Sequence, residues 1–127
     1  MKTQEIKKLL FDKLHDEGCY FTMNHISVTK SKFTFSTSWN DVTDDWNYDT
    51  IPAIKIVIKD YESIHFFITE MNNGLFGPSL DVWKKEYCTS KHEYYKESHL
   101  IYDGGGVTDE YYKEAVLSLG YYIATRF

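Results

Sequence analysis

Arginine is almost missing from this chain: Arg126 is the only one among 127 residues. The planar guanidinium fork that reads guanine and grips phosphate in pairs of hydrogen bonds is therefore scarce. With a formal net charge of −5, the chain would also be repelled by a nucleic-acid duplex, so direct nucleic-acid binding is disfavoured. Cysteine is nearly as rare. Cys19 and Cys88 stand far apart in no metal-ligand spacing, which suits two free thiols in a reducing compartment, one long-range disulfide being the alternative. No stretch reaches the ~18 apolar residues of a membrane span. The start, Met1-Lys2-Thr3-Gln4-Glu5, lacks the apolar core of a signal peptide. These absences point to a cytoplasmic protein.

The signatures of the common enzymes are missing as well. The histidines His15, His25, His65, His92 and His99 show no His-Glu-x-x-His spacing, and no Gly-x-Ser-x-Gly turn marks a nucleophile. The acid pairs Asp16-Glu17, Asp44-Asp45 and Asp109-Glu110 are sequence neighbours whose side chains point apart, so none is a ready acid/base dyad. Asp45, Asn47 and Asp49 match the first, third and fifth positions of a calcium loop. The match stops at Thr50, where glycine is needed, and at Ile56, where a bidentate glutamate is needed. Gly104-Gly105-Gly106 precedes a helix but lacks the Lys-Ser or Lys-Thr of a phosphate loop. Asp109 and Glu110 fill the helix end that would hold the phosphate, so a flexible connection is expected there. No metal and no cofactor is expected. An enzyme using Cys88 with His92 or His99 stands as the last-ranked alternative.

What the chain does have is rings and local acidity. Aromatic residues make up 17%, eleven of them tyrosine, more than a core alone would use. Between Lys32 and Lys55 there is no positive charge, yet Asp41, Asp44, Asp45 and Asp49 surround Trp39, Trp46 and Tyr48, as in a protein-contacting loop. A second window holds Glu97, Asp103, Asp109 and Glu110 with no Lys or Arg before Lys113. Tyr95 and Tyr111 flank these acids, and tyrosines paired in sequence cannot all be buried on one helix face.

The length fits a single domain, 1–127, with one core. Ile6, Leu9, Leu10 and Leu14 form a helical stripe capped by Thr3 and stopped by Gly18. Period-two alternation through Ile26 and Val28, then Phe33, Phe35, Thr37 and Trp39, predicts a hairpin turning at Lys30-Ser31-Lys32. Ile54, Ile56 and Ile58, then Ile64, Phe66 and Ile68, predict two more strands, with His65 on the outer face. The segment from Ser79 to Tyr87 suits a helix slightly better than a strand. His99 to Tyr102 reads as a further strand, before a final helix capped at Thr108 with the stripe Tyr112, Ala115, Val116, Leu119 and Ile123. The expected fold is α+β: an antiparallel sheet of four to five strands, mostly meander, with the N-terminal and C-terminal helices packed on one face.

The function expected from this pattern is a small acidic inhibitor that binds a basic nucleic-acid-handling protein, such as a nuclease. Immunity proteins and phage counter-defence proteins of the anti-CRISPR type share this size, acidity and layout. A groove lined with Lys and Arg attracts carboxylates, and aromatic anchors supply contact energy. The partner-binding residues expected are Trp39, Asp41, Asp44, Asp45, Trp46, Tyr48 and Asp49 in the first window, with Tyr95, Glu97, Asp103, Asp109, Glu110 and Tyr111 in the second. A dimeric secretion or assembly chaperone, binding an extended segment by strand addition, is the runner-up and leaves room for a homodimer.

Overall fold

A computed structural model describes residues 1–72, 77–87 and 95–127, with Tyr87, Tyr95, Lys96 and Glu97 by their backbone alone. Helix α1 (Thr3–Asp16) leads through a short 3-10 turn (Met23–His25) into five strands: β1 (Ile26–Asn40), β2 (Asp45–Ile58), β3 (Ile64–Asn72), β4 (Pro78–Tyr87) and β5 (Tyr95–Asp103). Helix α2 (Asp109–Arg126) closes the chain. The strands form one antiparallel sheet in the order β1-β2-β3-β4-β5. The fold is α+β, with one helix before the sheet and one after it. Among the described residues, no helix is long and apolar enough to cross a membrane.

Both helices lie on one face. Ile6, Leu10 and Leu14 of α1 and Ala115, Val116, Leu119 and Ile123 of α2 meet Ile26, Ile56, Ile58, Phe66, Ile68, Leu80 and Val82 of the sheet. Helix α1 begins one residue off the expected cap: Lys2 is the cap residue and Thr3 the first helical one, with the Glu5 carboxylate accepting from the Lys2 N–H at 3.4 Å. Its end is a Schellman turn. Gly18 sits at φ +85°, its N–H donates to His15 O at 3.0 Å, and the Cys19 N–H donates to Leu14 O at 2.8 Å.

Two expected elements are corrected. No turn interrupts β1 at Lys30-Ser31-Lys32; fifteen residues run straight through, Ser31 opposite Ala53 and Lys32 opposite Pro52. The apolar residues change from even numbers (Ile26, Val28) to odd numbers (Phe33, Phe35) because they change faces of the sheet. Ile26 and Val28 face the helices, whereas Phe33 and Phe35 join a second cluster with Ile51, Ala53, Phe67 and Trp83 on the opposite face. The 79–87 segment is strand rather than helix. Leu80 and Val82 point to the helices, Trp83 and Lys85 to the other side, and hydrogen-bonded neighbours on both edges settle the backbone.

The second cluster is closed by the β1–β2 hairpin itself. Phe33 lies 5.4 Å from Phe67 of β3 and 5.3 Å from Trp83 of β4, ring centroid to centroid. Such contacts skip over β2 and require the sheet to curl. Pro52 stands where this bend begins. The β2–β3 ladder runs only from Ala53↔Thr69 to Ile56↔Phe66, and Pro52 has no N–H with which to extend it. Lys85 fastens the curl: its ammonium donates to Thr34 O at 2.5 Å and lies 4.2 Å over the Phe33 ring. His65 is also buried on this face, only 9% exposed, in place of the surface position expected for it.

Candidate partner-binding site

Beyond Pro52, among the described residues, β1 and β2 pair only with each other and run out as a two-stranded ribbon. Asp45 is eight residues past the last β2–β3 pair, roughly 27 Å along the strand. The first acidic window is therefore mostly strand, not loop, and only Asp41–Asp44 turn. The β-favouring residues Trp39, Trp46, Tyr48 and Thr50 explain this extension. The turn is shaped locally. The Asn40 side-chain carbonyl accepts from the N–H groups of Val42 and Thr43 at 3.0 and 3.3 Å, and Asp44 takes the left-handed conformation at φ +54°, which aspartate tolerates better than most residues.

Trp39 and Trp46 face each other across the ladder, edge to face, with centroids 5.5 Å apart. They are 46% and 49% exposed, and Tyr48 is 62% exposed. Asp41, Asp44, Asp45 and Asp49 are all exposed, and no lysine or arginine lies between Lys32 and Lys55 to offset them. Three rings and four carboxylates thus share a narrow projecting element. Asp45 and Asp49 also accept from the following N–H groups, of Trp46 at 2.7 Å and Thr50 at 2.8 Å. The calcium-like spacing of Asp45, Asn47 and Asp49 runs along this strand, without the loop that spacing serves. Among the described residues, no group of three or more His, Cys, Asp or Glu could hold a metal.

The second window lies at the other edge, on β5 and the start of α2, so the fold does not merge the two patches. Several of its groups already have internal partners. Asp109 lies 3.5 Å from the Met1 amino group and Glu110 3.7 Å from Lys113. Tyr111 is half-buried, its ring covering Gly105 and Gly106, where a Cβ would come within 3.0 and 3.1 Å of it. Gly104 is tighter still, since a Cβ there would lie 2.8 Å from Leu80 O. Close approach, rather than the flexibility expected from sequence, accounts for this glycine run. Tyr112 donates to Glu70 at 2.6 Å and Tyr102 to Glu114 at 2.9 Å, while Tyr121 is the exposed ring of α2. The side chains of Tyr95 and Glu97 lie outside the described residues, as do Cys88 and His92; Cys19 is a free, half-buried thiol.

Asp103 has a partner that sequence reasoning missed. It stands directly opposite Asp81 of β4, and the two side chains hydrogen-bond. Asp81 is only 6% exposed, and its Oδ1 is buried without a hydrogen-bond partner among the described residues. Burial, followed by the hydrogen bond and negative charge of Asp103, pushes the Asp81 carboxyl up to about 6, against the weaker opposing effects of Ser79 and the Gly104 N–H. A helical reading of 79–87 hides the pair, whereas in a strand Asp81 and Asp103 fall in register. On the same face, burial draws the Lys85 ammonium below its usual value and, with Lys55, does the same to His65. A shallow groove between Ile101 and the α2 residues Leu117, Tyr121 and Arg126 holds no comparable cluster. In comparisons with known proteins, no family model matches the chain, and no curated protein or solved structure matches it either.

Proposed function

We propose that this chain is a small acidic inhibitor, of the immunity or phage counter-defence (anti-CRISPR) kind, which acts in the cytoplasm by blocking a basic nucleic-acid-handling protein. The observation that carries the reading is the exposed Trp39–Trp46 pair at the end of a projecting ribbon with four uncompensated carboxylates. Large rings half out of water cost solubility and are useful when a partner buries them. Carboxylates with no nearby cation raise the encounter rate with a positive groove and are desolvated only when matched there. The second patch plays a smaller part, because Asp81, Met1 and Lys113 engage Asp103, Asp109 and Glu110. Nothing in this reading requires catalysis.

The test is affinity capture from the native host with the intact chain, identification by mass spectrometry, and measurement of the captured complex. A basic protein released by salt is expected. The combined substitution of Asp44, Asp45 and Asp49 by Ser with Trp46→Ala should weaken that complex by at least about a hundredfold, or roughly 2.8 kcal/mol. Unchanged affinity in this variant would end the proposal.

One observation favours a second reading. Among the described residues, strand β1 has a ladder partner on one side only, so the outward-pointing backbone groups of its other edge, apart from the Thr34 carbonyl held by Lys85, could accept an added strand. A chaperone working this way would be dimeric in light scattering and would hold an unfolded peptide; a monomer that ignores peptides excludes it.

A further inference from the structure

Along the outer ribbon, the exposed rings and the β2 carboxylates are sorted onto opposite faces, while Phe35, opposite Asp49, turns into the second cluster. Residues of β2 alternate: Ile54, Ile56 and Ile58 face the helices, and Ile51 and Ala53 face the second cluster. Continued outward, that alternation puts Trp46, Tyr48 and Thr50 on one face and Asp45, Asn47 and Asp49 on the other. Cross-strand contacts fix the same division. Thr34 and Thr50 share a hydrogen bond of 2.8 Å, Asn47 donates to Ser38 at 3.0 Å, and Trp39 packs on Trp46. Strand β1 carries an irregularity here. Its register passes from Ser36↔Tyr48 to Ser38↔Asn47 and skips Thr37, whose hydroxyl donates to Asn47 O at 3.2 Å. Without that bulge Trp39 would share the face of Phe35, away from Trp46; with it, all three rings lie together.

A duplex groove places cations on both of its walls, and a ribbon made to fill one would carry carboxylates on both faces. A channel for single-stranded nucleic acid is divided differently. Cationic side chains follow the backbone on one side, and aromatic side chains stack with bases on the other. The ribbon has the same division, anions along one face and flat rings along the other, with successive same-face residues roughly 6.8 Å apart. Asp41 and Asp44 at the turn would lead it in, and no cation from residue 33 to residue 54 opposes entry.

We infer that the partner surface blocked by this protein is a single-stranded nucleic-acid channel. Asp45 and Asp49 meet its cationic wall, and Trp39, Trp46 and Tyr48 meet its base-stacking wall. The inference rests on the inhibitor reading above and narrows it. To test it, the captured partner is loaded with a fluorescein-labelled oligothymidylate of about twenty nucleotides or, separately, with a labelled duplex of equal length. The intact chain and two variants, Trp46→Ala and the double change Asp45→Asn with Asp49→Asn, then compete in fluorescence anisotropy. The expected result is displacement of the oligothymidylate by the intact chain, with each variant needing at least about tenfold more protein. Matching urea midpoints show that the variants are folded. Displacement of the duplex alone, or full competition by Trp46→Ala, overturns the single-strand assignment while leaving a blocked basic partner in place. A captured partner that binds neither probe also overturns it. Failure to hold any basic protein defeats the broader inhibitor reading.

Discussion

Replacing Asp81 by asparagine should stabilise the protein at neutral pH and flatten its pH dependence. Asp81 and Asp103 are opposite each other in the β4–β5 ladder, and the buried carboxyl of Asp81 is pushed from 3.8 to about 6. In the unfolded chain it loses its proton near its ordinary value; in the native state it holds that proton until about pH 6. The folded protein therefore binds more protons than the unfolded one across this window, and stability falls as pH rises through it. Below the unfolded value the penalty is absent, and above the folded value it is complete. A shift of this size corresponds to at most about 3 kcal/mol. Because Asp103 is exposed and water screens part of the repulsion, about 2 kcal/mol is the working figure. Asparagine keeps the shape and can donate to Asp103 at every pH, so Asp81→Asn should match the wild type near pH 4 and exceed it by about 2 kcal/mol at pH 7.5. Urea unfolding of both proteins from pH 4 to pH 8 measures this, and their difference cancels every other titrating group. A difference that does not change with pH, or an asparagine variant less stable at pH 7.5, would refute the shared-proton account.

Gly104→Ala should cost about 2 kcal/mol or more, because its methyl would lie 2.8 Å from the Leu80 carbonyl, which the ladder holds in place. Gly120→Ala also meets a close atom, Lys13 Cγ at 2.5 Å, but that atom belongs to a flexible stem, and a loss under about 1 kcal/mol is expected in thermal unfolding. Lys85→Ala should cost about 2 kcal/mol and speed amide exchange in Phe33–Phe35, whereas Lys85→Met, which keeps the contact over the Phe33 ring without a buried charge, should change stability by less than about 1 kcal/mol. Trp46→Ala should lower fold stability by no more than about 1 kcal/mol, as for an exposed cross-strand pair, and should weaken partner binding by more than that.

The helix-facing half of the molecule was legible in the sequence because single-face burial leaves a clean period. The stripes of α1 and α2 and the isoleucines of β2 point to one core, and all of them are found there. The second face was illegible for the same reason. Where a strand is buried on both sides, apolar residues occur at both parities, and the switch from Val28 to Phe33 looks like a broken strand. Strand β4 is harder still. Asp81 and Lys85 are buried polar residues whose burial depends on Asp103, Thr34 and Phe33, all distant in sequence. The acidic and aromatic window was visible as composition, but its division into two faces depends on a bulge at Thr37 that no local pattern announces.

The outer ribbon also has to avoid itself. A long β1 edge that no other described strand covers, with half-exposed Trp39 on it and Trp46 on the neighbouring strand, is a template for pairing with another copy, and Lys30 and Lys32 protect only its inner half. From Phe33 outward the edge strand is uncharged until Asp41, so the carboxylates of β2 and the turn must supply the repulsion. Two ribbons brought edge to edge would place up to eight carboxylates together with no cation between them, at a cost that grows as salt is lowered. A cationic groove turns the same charges into attraction. On the proposed reading, one set of carboxylates would both discourage self-association and favour a basic partner. Replacing Asp41, Asp44, Asp45 and Asp49 by Asn should then have two linked effects: a weaker complex and a new tendency to self-associate, read by light scattering at low ionic strength. If the variant stays monomeric there at millimolar concentration, the carboxylates are not what keeps the ribbons apart.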